Sequence, residues 1–221
     1  MSSRGSLYVI SGPSGSGKSS LANRALEEIP NLRFSVSHTT RKPRSGEQDA
    51  KEYFFVSEEK FQAMVEENGF IEHACVFGYY YGTSEQSVES LRREGCDVLL
   101  DIDVQGARQV RESHPEAVLI FVFPPSLEVL TQRLKGRKSD DENVIVRRLN
   151  TAKEEINAFR NYQYVIINGD FEESVAELKA IIQDAGSAFR LENRKDRAEE
   201  IIKTFFLGEL DDYSDTERIR Q

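Results

Sequence analysis

Cysteine is scarce in this sequence. Cys75 and Cys96 are the two in 221 residues, with no CxxC and no neighbouring Cys/His set at metal-ligand spacing, so two reduced, mostly buried thiols are expected. Long apolar runs are missing too. None approaches the roughly 20 residues that cross a bilayer, and MSSRGSLYVI lacks the apolar core of a signal peptide, so a cytoplasmic protein with no membrane partner is expected. Internal repeats and low-complexity tracts are absent. Basic charge is outnumbered: 29 Lys and Arg against 38 Asp and Glu leave a net charge of -9, which disfavours nucleic-acid partners. What is present, 38% hydrophobic and 30% charged residues, fits a soluble globular enzyme. The length allows one large domain or a core carrying inserted lobes. The charge is uneven, because RFSVSHTTRKPR (33–44) carries Arg33, Arg41, Lys42 and Arg44 without an acid. Such a basic island suggests a local anion site.

The stretch SGPSGSGKSS (11–20) sits between a short apolar run, LYVIS (7–11), and a helical pattern of Leu21, Ala22, Ala25, Leu26 and Ile29 closed by Pro30. Gly12-x-x-x-x-Gly17-Lys18-Ser19 between strand and helix is the context of a P-loop. Its glycines let the backbone wrap closely, so that N–H groups of Gly12, Pro13, Ser14, Gly15, Ser16 and Gly17 (all but the proline) can turn toward phosphate oxygens. The helix N-terminus adds partial positive charge. Lys18 would reach the β- and γ-phosphates and the Ser19 hydroxyl would ligate Mg²⁺. A nucleoside triphosphate site follows.

Three more near-continuous apolar runs, DVLLDID (97–103), AVLIFVF (117–123) and YVIIN (164–168), read as strands covered on both faces. Helical patterns at 126–133, behind a Ser126 N-cap, and at 171–189 alternate with them, which predicts a parallel α/β sheet. Segment 34–86 breaks that rhythm with FSVSHTT, EYFFVS and one helix at 58–68 capped by Gly69, and reads as an inserted lobe. A second candidate lobe, 130–149, is rich in Arg and Lys around a turn at Gly136, and suggests a lid. A GTPase would need Asn-Lys-x-Asp. The nearest string, Asn193-Arg194-Lys195-Asp196, has the wrong order and follows no apolar strand.

Taken together, SGPSGSGKSS, FSVSHTTRKPRSGE, Tyr53, FIEHACVFGYYYGT, LLDIDVQGA, FPPS and LKGR with a following RRL resemble guanylate kinase (GMP kinase) of the bacterial type, in order through roughly residues 7–185. The resemblance implies a P-loop NTPase core whose parallel sheet is flanked by helices, an inserted mixed α/β GMP-binding lobe and a helical lid. It divides the chain into core (1–35, 87–127 and 159–190), GMP lobe (36–86), lid (128–158) and a C-terminal helical extension and tail (191–221). It implies Mg²⁺-dependent phosphoryl transfer from ATP to GMP, giving ADP and GDP, within purine nucleotide metabolism.

The same resemblance assigns residues. Glu72 matches the position that reads guanine, whose N1–H and N2 amino group form a donor pair that a carboxylate accepts and adenine lacks. From the residues alone Glu72 would read as an ordinary surface acid after a helix. Ser37 and Thr83 match hydroxyls that touch the base, Asp103 matches a further guanine contact, and Asp101 sits where a strand-end acid could hold Mg²⁺ through water. Both acids end a buried strand, which makes a purely structural role the weaker reading. Arg41, Arg44, Tyr53 and Tyr81 match the GMP-phosphate residues, although TTRKPR alone would equally read as a solvated basic turn. Tyr79 and Tyr80 read as packing residues. The attacking group is already an oxyanion, so alignment and charge neutralisation suffice. Arg133, Arg137 and Arg148 match lid arginines for that task, with Arg44 bridging, and Arg137 is also a candidate to stack on adenine.

His38, His73 and His114 read as structural or incidental. In the C-terminal extension, Ile201, Ile202, Phe205, Phe206 and Leu210 share a helical side that either docks on the core or joins subunits into a homo-oligomer. DDYSDTERIRQ reads as a frayed tail. Competing functions are a non-catalytic binding module, opposed by the intact Gly17-Lys18-Ser19 and lid arginines, and a kinase for another nucleoside monophosphate, opposed by Glu72 with Ser37.

Overall fold

The computed structural model describes residues 4–44, 46–76, 78–136, 142–184 and 186–217, without the side chains of 142–144 and 207–217. Its elements are β1 (Leu7–Ser11), α1 (Lys18–Glu28), β2 (Leu32–Phe34), β3 (His38–Thr39), β4 (Phe54–Phe55), α2 (Glu58–Glu66), β5 (Phe70–Val76) and β6 (Tyr79–Ser84). There follow α3 (Glu85–Arg93), β7 (Asp97–Asp101), α4 (Val104–Ser113), β8 (Val118–Phe123), α5 (Leu127–Lys135) and α6 (Glu142–Ile156). Last come β9 (Tyr164–Ile167), α7 (Phe171–Ile182) and α8 (Leu191–Glu217). A five-stranded sheet runs in the order β2-β7-β1-β8-β9, and a smaller sheet in the order β4-β3-β6-β5. The chain forms two compact units, residues 1–10 with 25–119, and residues 11–24 with 120–221.

In the first unit β2 and β1 both pair parallel to β7, with Leu32 opposite Asp97 and Leu7 opposite Val98. The β1 and β7 runs are apolar without alternation because both faces are covered, Leu7, Val9, Ile10, Val98, Leu99 and Leu100 all being buried, whereas edge strand β2 buries only Leu32 and exposes Arg33 and Phe34. The smaller sheet is mixed, β3 parallel to β4 and antiparallel to β6, and β6 antiparallel to β5. It packs around Phe61 of α2, whose ring stacks on Phe70 at 4.5 Å and on Tyr80 at 5.5 Å. His38 joins this cluster, stacked on Phe54 at 4.8 Å, and burial lowers its affinity for a proton. Tyr80 is the packing residue expected; Tyr79 is not, being 45% exposed. The thiols are not buried as expected: Cys96 is half-buried and Cys75 exposed, because Cys75 follows the inward Ala74 on β5 and takes the opposite face.

Three helices of this unit begin at side-chain caps: Ser57 accepts from Lys60 N–H, Ser84 from Ser87 N–H, and Asp103 from the N–H groups of Gln105 and Gly106. The end of α2 differs from expectation. Asn68 takes the left-handed conformation (φ 53°), and the N–H groups of Asn68 and Gly69 bond to Val65 and Met64 carbonyls. Asparagine tolerates that conformation, so Gly69 is the residue after the reversal and not the reversal itself.

In the second unit β8 and β9 pair parallel, with Ile120 opposite Tyr164, over a core of Phe121, Phe123 and Phe159. Helix α5 starts at Ser126, which accepts from Val129 N–H, as the sequence suggests. Helix α7 stops at Ile182 rather than running to 189, because Asp184 turns left-handed (φ 58°) and a short 3₁₀ helix, Ser187–Phe189, follows. Helix α8 buries Ala198 and, from the apolar stripe, Ile201 and Phe205 within its own unit, so these two dock on that unit's core, while Ile202 is half-buried. Phe206 is half-buried with Lys153 above its ring, and Leu210 lies outside the described side chains. The helix continues to Glu217 where a frayed tail was expected; no proline interrupts the segment. No described helix is long and apolar enough to cross a membrane.

Candidate active site

The residues expected to read a base come together in the first unit. Glu72 on β5 lies opposite Thr83 on β6 and is only 4% exposed. The Thr83 hydroxyl donates to Glu72 Oε1 at 2.6 Å, and the Ser37 hydroxyl lies 3.0 Å from that of Thr83. On its other side the carboxylate rests against the first turn of α4, so closely that a Cβ on Gly106 would come to 2.5 Å from Glu72 Oε2. Burial drives the Glu72 carboxyl up to about 7; the Thr83 hydrogen bond holds it back, and the charge of Asp103 pushes it further. Among the described residues no cation pairs with it. Asp103 itself caps α4, accepting from Gln105 and Gly106 at 3.0 and 2.8 Å. That is the structural role which the sequence reading set aside: an acid just past a strand end is also at a helix start.

A second cluster gathers Arg41, Tyr53 and Tyr81. The Arg41 side chain is 10% exposed; its guanidinium lies 5.5 Å over the Tyr53 ring and donates to both Glu47 carboxylate oxygens at 3.0 and 2.9 Å. Glu47 also accepts from Arg44 N–H at 2.7 Å. The bonds to Glu47 raise Arg41 further above its ordinary range, against burial and with help from Tyr81. The same bonds hold the Glu47 carboxyl below its usual range. Tyr53 packs against Tyr81 at 5.7 Å, and burial, then the neighbouring Tyr81 and Asp101, raise its hydroxyl. Asp101 ends β7 half-buried on this side, while the Arg44 side chain is exposed. Sequence reasoning missed Glu47. It stands just beyond the acid-free stretch and folds back as its counter-ion.

The P-loop forms in the second unit. Gly12, Gly15 and Gly17 all have positive φ (145°, 92° and 93°), so each needs glycine's conformational freedom. A Cβ on Gly12 would strike the Val122 carbonyl, and one on Gly15 would crowd Leu130 and Leu134 of α5. Pro13 and Ser14 form the bend, with Ser16 N–H bonding back to the Pro13 carbonyl at 3.0 Å. The Ser16 hydroxyl is buried and finds no hydrogen-bond partner among the described residues. Lys18, half-buried, and Ser19, exposed, open α1.

The expected lid arginines are distributed differently. Arg133 on α5 is engaged by backbone in this structure: its Nη1 donates to the Ser16 carbonyl at 3.2 Å and its Nη2 to the Asn168 carbonyl at 2.9 Å. Arg148 is half-buried on α6, and Arg137 lies outside the described residues. Asn168, which no sequence argument singled out, follows β9 directly and is 4% exposed. Its only advance signal is that a polar residue closes an apolar strand.

The described geometry thus offers two half-sites, each intact within its own unit: a buried carboxylate with hydroxyls beside an arginine–tyrosine cluster, and a glycine cradle at a helix N-terminus. A family model described as "Guanylate kinase" matches residues 4–185 of the chain. A guanylate kinase of Hahella chejuensis is 51% identical over 180 residues, covering 81% of this chain and 86% of that protein. One of Saccharophagus degradans is 45% identical over 204 residues, covering 92% and 98%. Among solved structures, a crystal structure of guanylate kinase from Anaplasma phagocytophilum superposes with a TM-score of 0.69 at 35% identity, covering 87% of this chain and 93% of that one.

Proposed function

The chain belongs to the guanylate kinase family, the ATP:GMP phosphotransferases, and we propose that its two half-sites divide that reaction between them. Residues 36–86 with the α4 N-terminus take GMP, residues 12–19 take the phosphates of ATP, and residues 128–158 act as the lid. Glu72 accepts the N1–H and N2 donors of guanine, with Ser37, Thr83 and Asp103 around the base. Arg41, Tyr53 and Tyr81, joined by Arg44, hold the GMP phosphate. The observation that carries this reading is the buried Glu72 carboxylate, raised to about 7 and without a cation among the described residues. A buried acceptor in that condition is completed by a ligand that brings two donors.

The chemistry then needs no general base, because the attacking oxygen belongs to a phosphate that is already anionic. The protein's task is to align that oxygen with the γ-phosphorus and to offset charge on the moving group. Lys18 and the P-loop N–H groups serve the β- and γ-phosphates, and the buried, unpartnered Ser16 hydroxyl beside the cradle is in keeping with a polar guest. Mg²⁺ fits this chemistry: the Ser19 hydroxyl in one unit and, separately, the Asp101 carboxylate in the other are hard oxygen donors of the type that would hold it, and the ion would offset negative charge on the phosphates.

The deciding experiment measures ADP formation from Mg·ATP with GMP, AMP, CMP and UMP offered separately. Turnover with GMP and almost none with the others is expected. Turnover with AMP or a pyrimidine nucleotide would keep the kinase and overturn the role of Glu72. Intact GMP binding without turnover would favour a binding module.

A further inference from the structure

The Ser16 carbonyl of the P-loop accepts from two side chains. It receives the Asn168 side-chain amide at 2.7 Å and Arg133 Nη1 at 3.2 Å, while the Asn168 carbonyl receives Arg133 Nη2 at 2.9 Å. Only the Nδ2 end of an asparagine can face a carbonyl oxygen, so the amide orientation is fixed. Asn168 is itself immobilised: it is 4% exposed, and its N–H donates to Phe123 O at 2.9 Å. Strand end, loop and helix α5 are therefore tied at one oxygen atom.

The peptide carrying that oxygen also carries the Gly17 N–H. A trans peptide is planar, with C=O and N–H pointing in opposite directions, and no cis bond occurs here. Holding the Ser16 oxygen toward Asn168 and Arg133 therefore aims the Gly17 N–H directly away from them. Two donors on the carbonyl also polarise the peptide and strengthen the N–H as a donor. Gly17 has no alternative residue: its φ is 93°, and a Cβ there would overlap the Asn168 amide nitrogen.

We propose that Asn168 is a positioning residue for phosphoryl transfer, acting through the Ser16–Gly17 peptide, and that Arg133 in this state shares that task. The amide aims and polarises the Gly17 N–H at the ATP phosphate. This rests on the P-loop being the ATP half-site.

The test compares Asn168→Ala and the isosteric Asn168→Asp with the parent protein. The readouts are kcat, KM for ATP, KM for GMP, thermal stability and the ¹H–¹⁵N resonance of Gly17. Asp keeps the volume but presents an acceptor to the Ser16 carbonyl, so it separates donation from space-filling. Both variants are expected to lose about 5- to 150-fold in kcat/KM for ATP, the range set by one buried acceptor left short of a donor. KM for GMP should stay near the parent value, and the Gly17 resonance should move. If Asn168→Asp keeps the parent kcat and KM for ATP, whatever its melting temperature, the proposal is overturned. Failure of the wider functional reading would look different, since the parent protein itself would then not phosphorylate GMP.

Discussion

Replacing Glu72 by Gln should make the empty protein more stable and the enzyme nearly useless. Gln keeps the shape and the oxygen that accepts from Thr83, and removes the buried charge. In the folded state the carboxyl titrates at about 7 against 4.5 for the free side chain, mainly because burial disfavours the ionised form. The difference corresponds to about 3 kcal/mol of folding free energy. Its sign follows from the direction: the folded protein holds this proton more tightly than the unfolded chain, so stability is lost as pH rises from about 4.5 through about 7. Urea unfolding of both proteins should therefore show a gain for Glu72→Gln of up to about 3 kcal/mol at pH 8, shrinking to little at pH 5. The amide's extra N–H₂ needs an acceptor, which sets 3 kcal/mol as the ceiling. Turnover should move oppositely, with kcat/KM for GMP falling by roughly 100-fold or more as the charge-assisted donor pair is lost. A variant no more stable than the parent at pH 8, or equally stabilised at pH 5, would refute the claim that burial strains this carboxylate.

Three further outcomes are expected. GMP use should have an acidic limb with an apparent midpoint near 7, so that kcat/KM for GMP falls about tenfold per unit below it, since protonated Glu72 no longer accepts two donors; a flat profile from pH 5.5 to 8 would exclude this. Gly106→Ala should fold, because the clash falls on the end of a side chain 2.5 Å away, yet displacing that carboxylate should lower kcat/KM for GMP by about 10- to 100-fold and leave KM for ATP alone. Phe61→Ala removes a fully buried ring stacked between Phe70 and Tyr80; a loss of about 3–5 kcal/mol in thermal or urea unfolding is expected.

The core strands were legible because burial on both faces writes a local, uninterrupted apolar run, and 7–11, 97–101, 118–123 and 164–167 stand within two residues of their expected bounds. The P-loop was legible for the same reason, as a local pattern between two such signals. Helix ends were less so: Asn68 and Asp184 adopt left-handed backbone that glycine would have advertised. The candidate site was legible only in part. Glu72 follows a helix and, taken alone, reads as a surface acid; its burial depends on α4, more than thirty residues later, closing over it. Asn168 reaches Ser16 across 152 positions, a separation that no local pattern encodes. Arg133 looked like a mobile lid arginine because its two carbonyl acceptors are backbone atoms, which sequence does not show.

The hydroxyls beside Glu72 have a direction. Thr83 owns one hydrogen and commits it to the carboxylate, so its oxygen can only receive from Ser37. Ser37 must then spend its single hydrogen inward and turn lone pairs outward. With the carboxylate ionised, the row is polarised end to end, and every atom it shows a base is an acceptor. On the proposed role of Glu72, guanine's donor edge would match that face, and the acceptor N1 of adenine would meet lone pairs of both Glu72 and Ser37. A proton arriving on Glu72 lets the whole row reverse, and Ser37 becomes a donor. If Glu72 reads the base as proposed, selectivity between purines is a property of the row's polarity, set by one proton that the protein binds more tightly than an exposed carboxylate would.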